Sequence, residues 1–163
     1  MAVPGAVGAQ AVAIRIGGDQ AAFWGCGFFG SQDTLHDDRG RHYFKECYIQ
    51  GSIDFVFGNG KSFYENCELT SIASPGSRSI NGAVTAHGRA SKDEDSGFAF
   101  VNCSIGGTGR IWTIFYGEYK CSGAGSNMSQ RASYVQKLND TQALPFLNLS
   151  FIDAHLWLQS FSN

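Results

Sequence analysis

Asp33 and Asp54 are the residues whose type and spacing invite chemistry. Asp33 belongs to Gly30-Ser-Gln-Asp-Thr-Leu35 and Asp54 to Gly51-Ser-Ile-Asp-Phe-Val-Phe-Gly58; each lies seven residues after a cysteine, Cys26 or Cys47. Those cysteines hold the same place in two similar segments, Phe23-Trp-Gly-Cys-Gly-Phe28 and Phe44-Lys-Glu-Cys-Tyr-Ile49. If the segments are successive turns of a repeat, the two aspartates are stacked neighbours, about 4.8 Å apart along a parallel sheet. Carboxyl groups that close resist ionising together, so one holds a proton while the other stays anionic. The pair then offers a proton donor and a nucleophile.

The elements that must position this pair come from the repeat. Four segments read aromatic-x-x-Cys-x-apolar or close to it, with cysteines at 26, 47, 67 and 103. The longer third interval holds an insertion that includes Ser71 to Asn81. Short alternating stretches such as Gln10-Ala-Val-Ala-Ile-Arg-Ile16 and His42-Tyr-Phe-Lys-Glu-Cys47 read as strands, and glycines punctuate them. A period of roughly 20 residues, with several short strands per turn and no intervening helix, predicts an all-β parallel β-helix. A leucine-rich repeat would need a leucine ladder that is missing. A β-sandwich would need hairpin signals, for which Asn59-Gly60 is the one good candidate.

After Ile105 the pattern changes. Gly106-Gly-Thr-Gly109 reads as a turn, and residues 110 to 119 as one or two strands. Asn139-Asp-Thr-Gln142 reads as a helix cap before a short helix that stops near Pro145, and Phe146 to Leu158 is apolar enough to pack along the outside of a coil. The chain is read as one domain over 1–163, with 122–163 a loop and short-helix tail on the coils.

Composition sets further bounds. Charged residues make up 16% of 163, with 21 glycines and three prolines, a balance suited to strands and tight turns. The net charge of −2 and the absence of a basic stripe give nucleic-acid binding no support. No apolar run has the length of a membrane span, and the first nine residues lack the basic region and apolar core of a signal peptide. The sequons at Asn102, Asn127, Asn139 and Asn148 are compatible with a secreted chain but do not establish one.

Six stretches carry a resemblance: Gln10-Ala-Val-Ala-Ile14, Gln32-Asp-Thr-Leu35, Asp54-Phe-Val-Phe-Gly58, Val84-Thr-Ala-His-Gly-Arg89, Phe115-Tyr-Gly-Glu-Tyr-Lys-Cys121 and Phe146-Leu-Asn-Leu-Ser-Phe-Ile-Asp153. In this order they resemble the plant-type pectin methylesterases, carbohydrate esterases built on a right-handed parallel β-helix. The resemblance implies that Asp54 is the nucleophile and Asp33 the proton donor and later base. It also implies that Gln32 stabilises the transition state, that Gln10 binds substrate, and that Phe57 lines an aromatic groove. Ester hydrolysis needs a nucleophile, a proton for the leaving alcohol and donors at the oxyanion. Two carboxyls and two carboxamides supply these, so no metal or cofactor is expected.

The same resemblance implies methylated homogalacturonan (pectin) as substrate, a proteinaceous pectinesterase inhibitor as a partner, and a secreted, cell-wall setting. It favours a disulfide between Cys47 and Cys67. Two departures qualify it. The chain lacks the family's first coils, and Gly109-Arg-Ile-Trp112 runs straight into Thr113, where the family places a Leu-Gly-Arg-x-Trp segment. Arg110 and Trp112 are read as residues of the upstream strand and not as substitutes. The alternative reading is therefore a catalytically impaired member that at most binds pectin. A lyase or hydrolase of another β-helix family would call for different carboxylate or calcium arrangements, and no such acid cluster appears.

Local readings complete the set. Cys26, Cys103 and Cys121 are read as core or free thiols. His36-Asp-Asp-Arg-Gly-Arg-His42 and Ala90-Ser-Lys-Asp-Glu-Asp-Ser96 are read as solvated loops with local charge pairing.

Overall fold

The structure is a computed structural model and describes residues 3–74, 76, 82–109, 117–122 and 135–159. Twelve short strands wind into three parallel four-stranded sheets. The first sheet stacks β1 (Ile14–Ile16), β4 (Leu35–Asp37), β7 (Val56–Gly58) and β10 (Thr85–His87). The second stacks β2 (Ala21–Trp24), β5 (Arg41–Lys45), β8 (Lys61–Glu65) and β11 (Gly97–Val101). The third stacks β3 (Gly27–Phe29), β6 (Tyr48–Gly51), β9 (Glu68–Ser71) and β12 (Ser104–Gly107). Each strand pairs with the strand one full turn away, which is a parallel β-helix.

The repeat explains this architecture column by column. Phe23, Phe44, Tyr64 and Phe100 are in register and their rings stack inside the coil, at centroid distances of 5.1, 4.5 and 4.6 Å. Stacked pairs of this kind add to the free energy of plain area burial. Phe28, Ile49 and Leu69 form a second buried column, and Leu35 over Val56 a third. Corners are made by residues in the left-handed region immediately before each cysteine: Gly25, Glu46, Asn66 and Asn102. Asparagine tolerates that conformation, and Asn102 Nδ2 donates to Asn66 Oδ1 at 2.6 Å, so the corner itself is laddered.

All five cysteines are free thiols. The Cys47–Cys67 bridge favoured by the resemblance is absent. Stacked in parallel, each sulfur is directed at backbone carbonyls: Cys47 Sγ at Lys45 O (3.4 Å) and Phe23 O (3.6 Å), Cys67 Sγ at Glu65 O and Phe44 O (both 3.5 Å). The column is a buried thiol ladder. Titration of the unfolded, unreduced protein with a thiol reagent should find all five; a count two lower would restore the bridge.

Two loop readings also change. β12 runs through Gly106 and Gly107, because β9 supplies a complete partner ladder, and the chain bends only at Thr108 and Gly109. The stretch from His36 to His42 is not a solvated loop throughout. Asp37 and His42 are fully buried and bonded to each other, while Asp38 is held by Arg15 at the surface. Ala90 to Glu94 and the Gly88–Arg89 approach to it do form an outward loop, tied by Arg89 to the carbonyls of Ser91 and Lys92 and by Glu94 to Ala90 N–H.

The tail follows its sequence signals. Asn139 caps helix α1 (Asp140–Ala143) in a reciprocal capping box with Gln142. A 3-10 turn carrying Pro145 follows (Leu144–Phe146), then two more at Leu149–Ile152 and Ala154–Leu156. Ile152 and Ala154 bury against the outward-facing Tyr43, Phe63 and Ala99 of the second sheet. Asp153 faces Arg41 Nη1 at 3.6 Å and Lys61 Nζ at 3.9 Å. β13 (Gly117–Glu118) pairs in parallel with β14 (Gln136–Lys137). Arg110, Trp112 and the junction with Thr113 lie outside the described residues, as do Asn127 and most of the insertion before Gly82.

Candidate active site

The third sheet turns into the first at two stacked bends, Gly30–Thr34 and Gly51–Phe55. Tightness requires glycine at both starts: a Cβ on Gly30 would lie 2.4 Å from Thr34 Oγ1, and one on Gly51 2.2 Å from Phe55 Cβ. Asp33 (φ 56°) and Asp54 (φ 48°) both occupy the left-handed region at the apex. Aspartate is among the few side chains enriched there. The bends are locked together by Ser52 N–H to Ser31 O at 2.7 Å and Asp33 N–H to Ile53 O at 3.1 Å. Thr34 Oγ1 also donates to Gln50 O at 2.8 Å.

Gln10 bridges Gln32 in parallel, and Gln32 bridges Ile53. Gln10, Gln32 and Ile53 are therefore successive rungs of one column, and Asp33 and Asp54 occupy consecutive rungs beside it. Both carboxyls are half-buried, and both are pushed above the usual carboxylate range. Burial is the leading cause for each. For Asp54 the charge of Asp33 adds to it; for Asp33 the charge of His36 partly opposes it. Among the described residues no lysine or arginine acts on either carboxyl. Two coupled carboxyls with raised affinity for a proton can hold one proton between them above the pH at which an ordinary carboxyl loses it.

Phe55 and Phe57 alternate as strand geometry dictates: Phe55 is completely buried, and Phe57 is half-buried on the outer face. Phe57 stacks on His36 of the coil before it, centroids 4.4 Å apart and planes 14° from parallel. His36 is the site-lining residue that reading the sequence missed. Its signal was present, since His36 follows Asp33 by the same three residues as Phe57 follows Asp54.

Comparison with known proteins gives the geometry its context. The family model described as Pectinesterase matches residues 2–112. Probable pectinesterase 8 of Arabidopsis thaliana is 58% identical over 196 residues, covering 96% of this chain and 50% of its own length. Putative pectinesterase 14 of Arabidopsis thaliana is 44% identical over 192 residues, covering 95% and 57%. The chain thus spans about half the length of the curated relatives it matches. The 196 aligned positions exceed the 163 residues of the chain, so the relative carries residues inside the matched region that this chain lacks.

Among solved structures, pectin methylesterase from carrot superimposes with a TM-score of 0.79 at 27% identity, covering 94% of this chain and 63% of that one. The Aspergillus niger pectin methylesterase gives 0.73 at 26%, covering 95% and 62%. With the family model over residues 2–112 and a relative 58% identical over 96% of the chain, this parallel β-helix, with two aspartates on consecutive rungs, belongs to the pectinesterase family.

Proposed function

We propose that this chain hydrolyses the methyl esters of polygalacturonate, releasing methanol and leaving free carboxylate. The observation that carries this is the stacking of Asp33 and Asp54 at two equivalent left-handed bends, in a chain of this family. Ionised Asp54 attacks the ester carbonyl carbon, and the carbonyl electron pair moves onto oxygen, where the Gln32 carboxamide donates a hydrogen bond. As the tetrahedral centre collapses, the C–O bond to the methoxy group breaks and Asp33 delivers its proton to form methanol. Asp33, now anionic, takes a proton from water, whose oxygen attacks the acyl-Asp54 anhydride; collapse frees ionised Asp54 and the galacturonic acid, which gives its proton to solvent. Gln10 and Phe57 hold the sugar beside this centre. None of these steps calls on a metal.

The reading extends to an extracellular setting at the cell wall, with pectin as polymer substrate and a proteinaceous pectinesterase inhibitor as a further partner. The alternative of an impaired member that at most binds pectin draws no support from the comparisons. Methanol release from highly methylated pectin tests the proposal. Release above the uncatalysed background that disappears in Asp54→Asn supports it. A folded chain that releases none, or one indifferent to Asp54, refutes it.

A further inference from the structure

Phe29 lies on the outer face of β3, 57% exposed, four residues before Asp33. Its ring does not stand up into solvent. A Cβ on Gly27 would meet Phe29 Cε2 at 2.6 Å, so the ring lies back over the bare backbone of its own strand, in a space that only glycine leaves open. Tyr48 stands directly above Gly27 in register and packs tilted against the Phe29 ring, with centroids 5.3 Å apart and planes at 34°. Gln50 is the register partner of Phe29, and Tyr48 Oη donates to its Oε1 at 3.3 Å. The result is an exposed aromatic ring with a phenol and a carboxamide beside it.

The patch is continuous with the reacting bends. β3 leads straight into Gly30–Asp33 and β6 into Gly51–Asp54, and Gln50 O receives both Gly30 N–H (3.2 Å) and Thr34 Oγ1 (2.8 Å). The other exposed aromatic nearby is built differently: Lys45 Nζ sits 4.3 Å over the Trp24 ring, and Trp24 Nε1 donates to Glu46. That ring face is covered by a cation, whereas the face of Phe29 is open.

We propose that Phe29, flanked by Tyr48 and Gln50, is a stacking subsite for a pyranose ring of a galacturonan chain, outside the residue whose ester reacts. A pyranose presents a face of C–H groups that packs on an aromatic ring, with equatorial hydroxyls at its rim for Tyr48 and Gln50 to bond. The proposal rests on the galacturonan-directed reading above and adds a polymer contact to it.

The test measures binding of highly methylated pectin by affinity electrophoresis and calorimetry, using the 163-residue chain carrying Asp54→Asn so that substrate is not consumed. Phe29→Ala in this background should weaken binding roughly three- to tenfold, and Phe29→Trp, which keeps a flat ring, should retain it. In the chain with Asp54 intact, Phe29→Ala should raise KM by the same factor and leave kcat unchanged, as for binding shared by ground and transition states. Unaltered pectin affinity in Phe29→Ala overturns the subsite while leaving the esterase reading intact. Weakened affinity in a chain that releases no methanol keeps the subsite and overturns the esterase reading. A parent that binds no pectin overturns both. Loss of a dimer in Phe29→Ala, with pectin binding unchanged, shows the face to be a self-interface and overturns the subsite.

Discussion

Asp54→Ala should lower kcat for methanol release by at least about 10⁴-fold, the scale on which losing a member of a nucleophilic catalytic unit is felt. Asp33→Asn should leave more activity, about 10²–10⁴-fold below the parent, because it removes proton transfer and leaves the attacking group in place. The pH profiles separate the roles. Asp54 must be ionised to attack while Asp33 keeps its proton, and burial raises the affinity of Asp54 for a proton. Activity therefore rises with pH as Asp54 loses its proton, at a pH above the ordinary carboxylate range. Activity falls again where Asp33, also raised by burial, can no longer supply a proton. In Asp33→Asn no carboxyl is left to lose that proton, so the alkaline limb of the residual activity should disappear, while the acidic limb, set by Asp54 beside a neutral neighbour, stays in place. An alkaline limb that persists in Asp33→Asn would show that Asp33 is not the proton donor. Thermal unfolding of Asp33→Asn should stay close to the parent, since asparagine also tolerates the left-handed bend, whereas Asp54→Ala should lose about 1 kcal/mol there.

The second large effect is on stability. Asp37 and His42 are both fully buried. His42 Nδ1 lies 2.5 Å from Asp37 Oδ1, and its Nε2 lies 2.8 Å from Gly18 O. Tyr64 Oη donates to the other carboxylate oxygen at 2.6 Å. A backbone carbonyl only accepts, so Nε2 carries a proton, and a further proton lies between Nδ1 and Asp37 Oδ1. Burial by itself lowers the proton affinity of His42, but the hydrogen bond and charge of Asp37 outweigh it and the net shift is upward. Removing one member leaves an uncompensated buried charge, which costs about 3–5 kcal/mol. Asp37→Asn and His42→Ala should each lose stability on that scale in urea unfolding.

The sign of the pH dependence follows from the upward shift. A histidine whose folded pKa is raised contributes stability that is fully present below its unfolded value, about 6.5, and lost as pH rises through the folded value. The parent should therefore weaken on the alkaline side, and Asp37→Asn should lose that slope. A loss under about 1 kcal/mol, or an unchanged slope, would show that the pair is not ionic.

The sequence by itself determined the coil. Its roughly 20-residue period, the column of cysteines and the aromatic three residues before each set the register of Phe23, Phe44, Tyr64 and Phe100. Because one turn of a β-helix repeats the last, equal offsets from Cys26 and Cys47 were enough to put Asp33 and Asp54 on consecutive rungs. The Asn139–Gln142 capping box and the stop near Pro145 were legible for the same reason, since all their partners lie within a few residues.

Only the tertiary structure decided what depends on partners a full coil or more away. Polarity alone made Asp37 and His42 look solvated; their burial rests on Gly18 and Tyr64, 24 and 27 residues from their hydrogen-bonding partners His42 and Asp37. Glycines 106 and 107 looked like a turn until β9 offered them a ladder, and backbone pairing prevailed over their local preference. The thiols of Cys47 and Cys67 stack as the spacing required, but the direction of each sulfur was set by the carbonyls beneath it. Phe29 lies back over its own strand because Gly27 leaves room, with Tyr48, one coil above, packed against its ring. Spacing along a chain specifies which residues stack; which way each side chain then turns is settled by the neighbours that the coil brings to it.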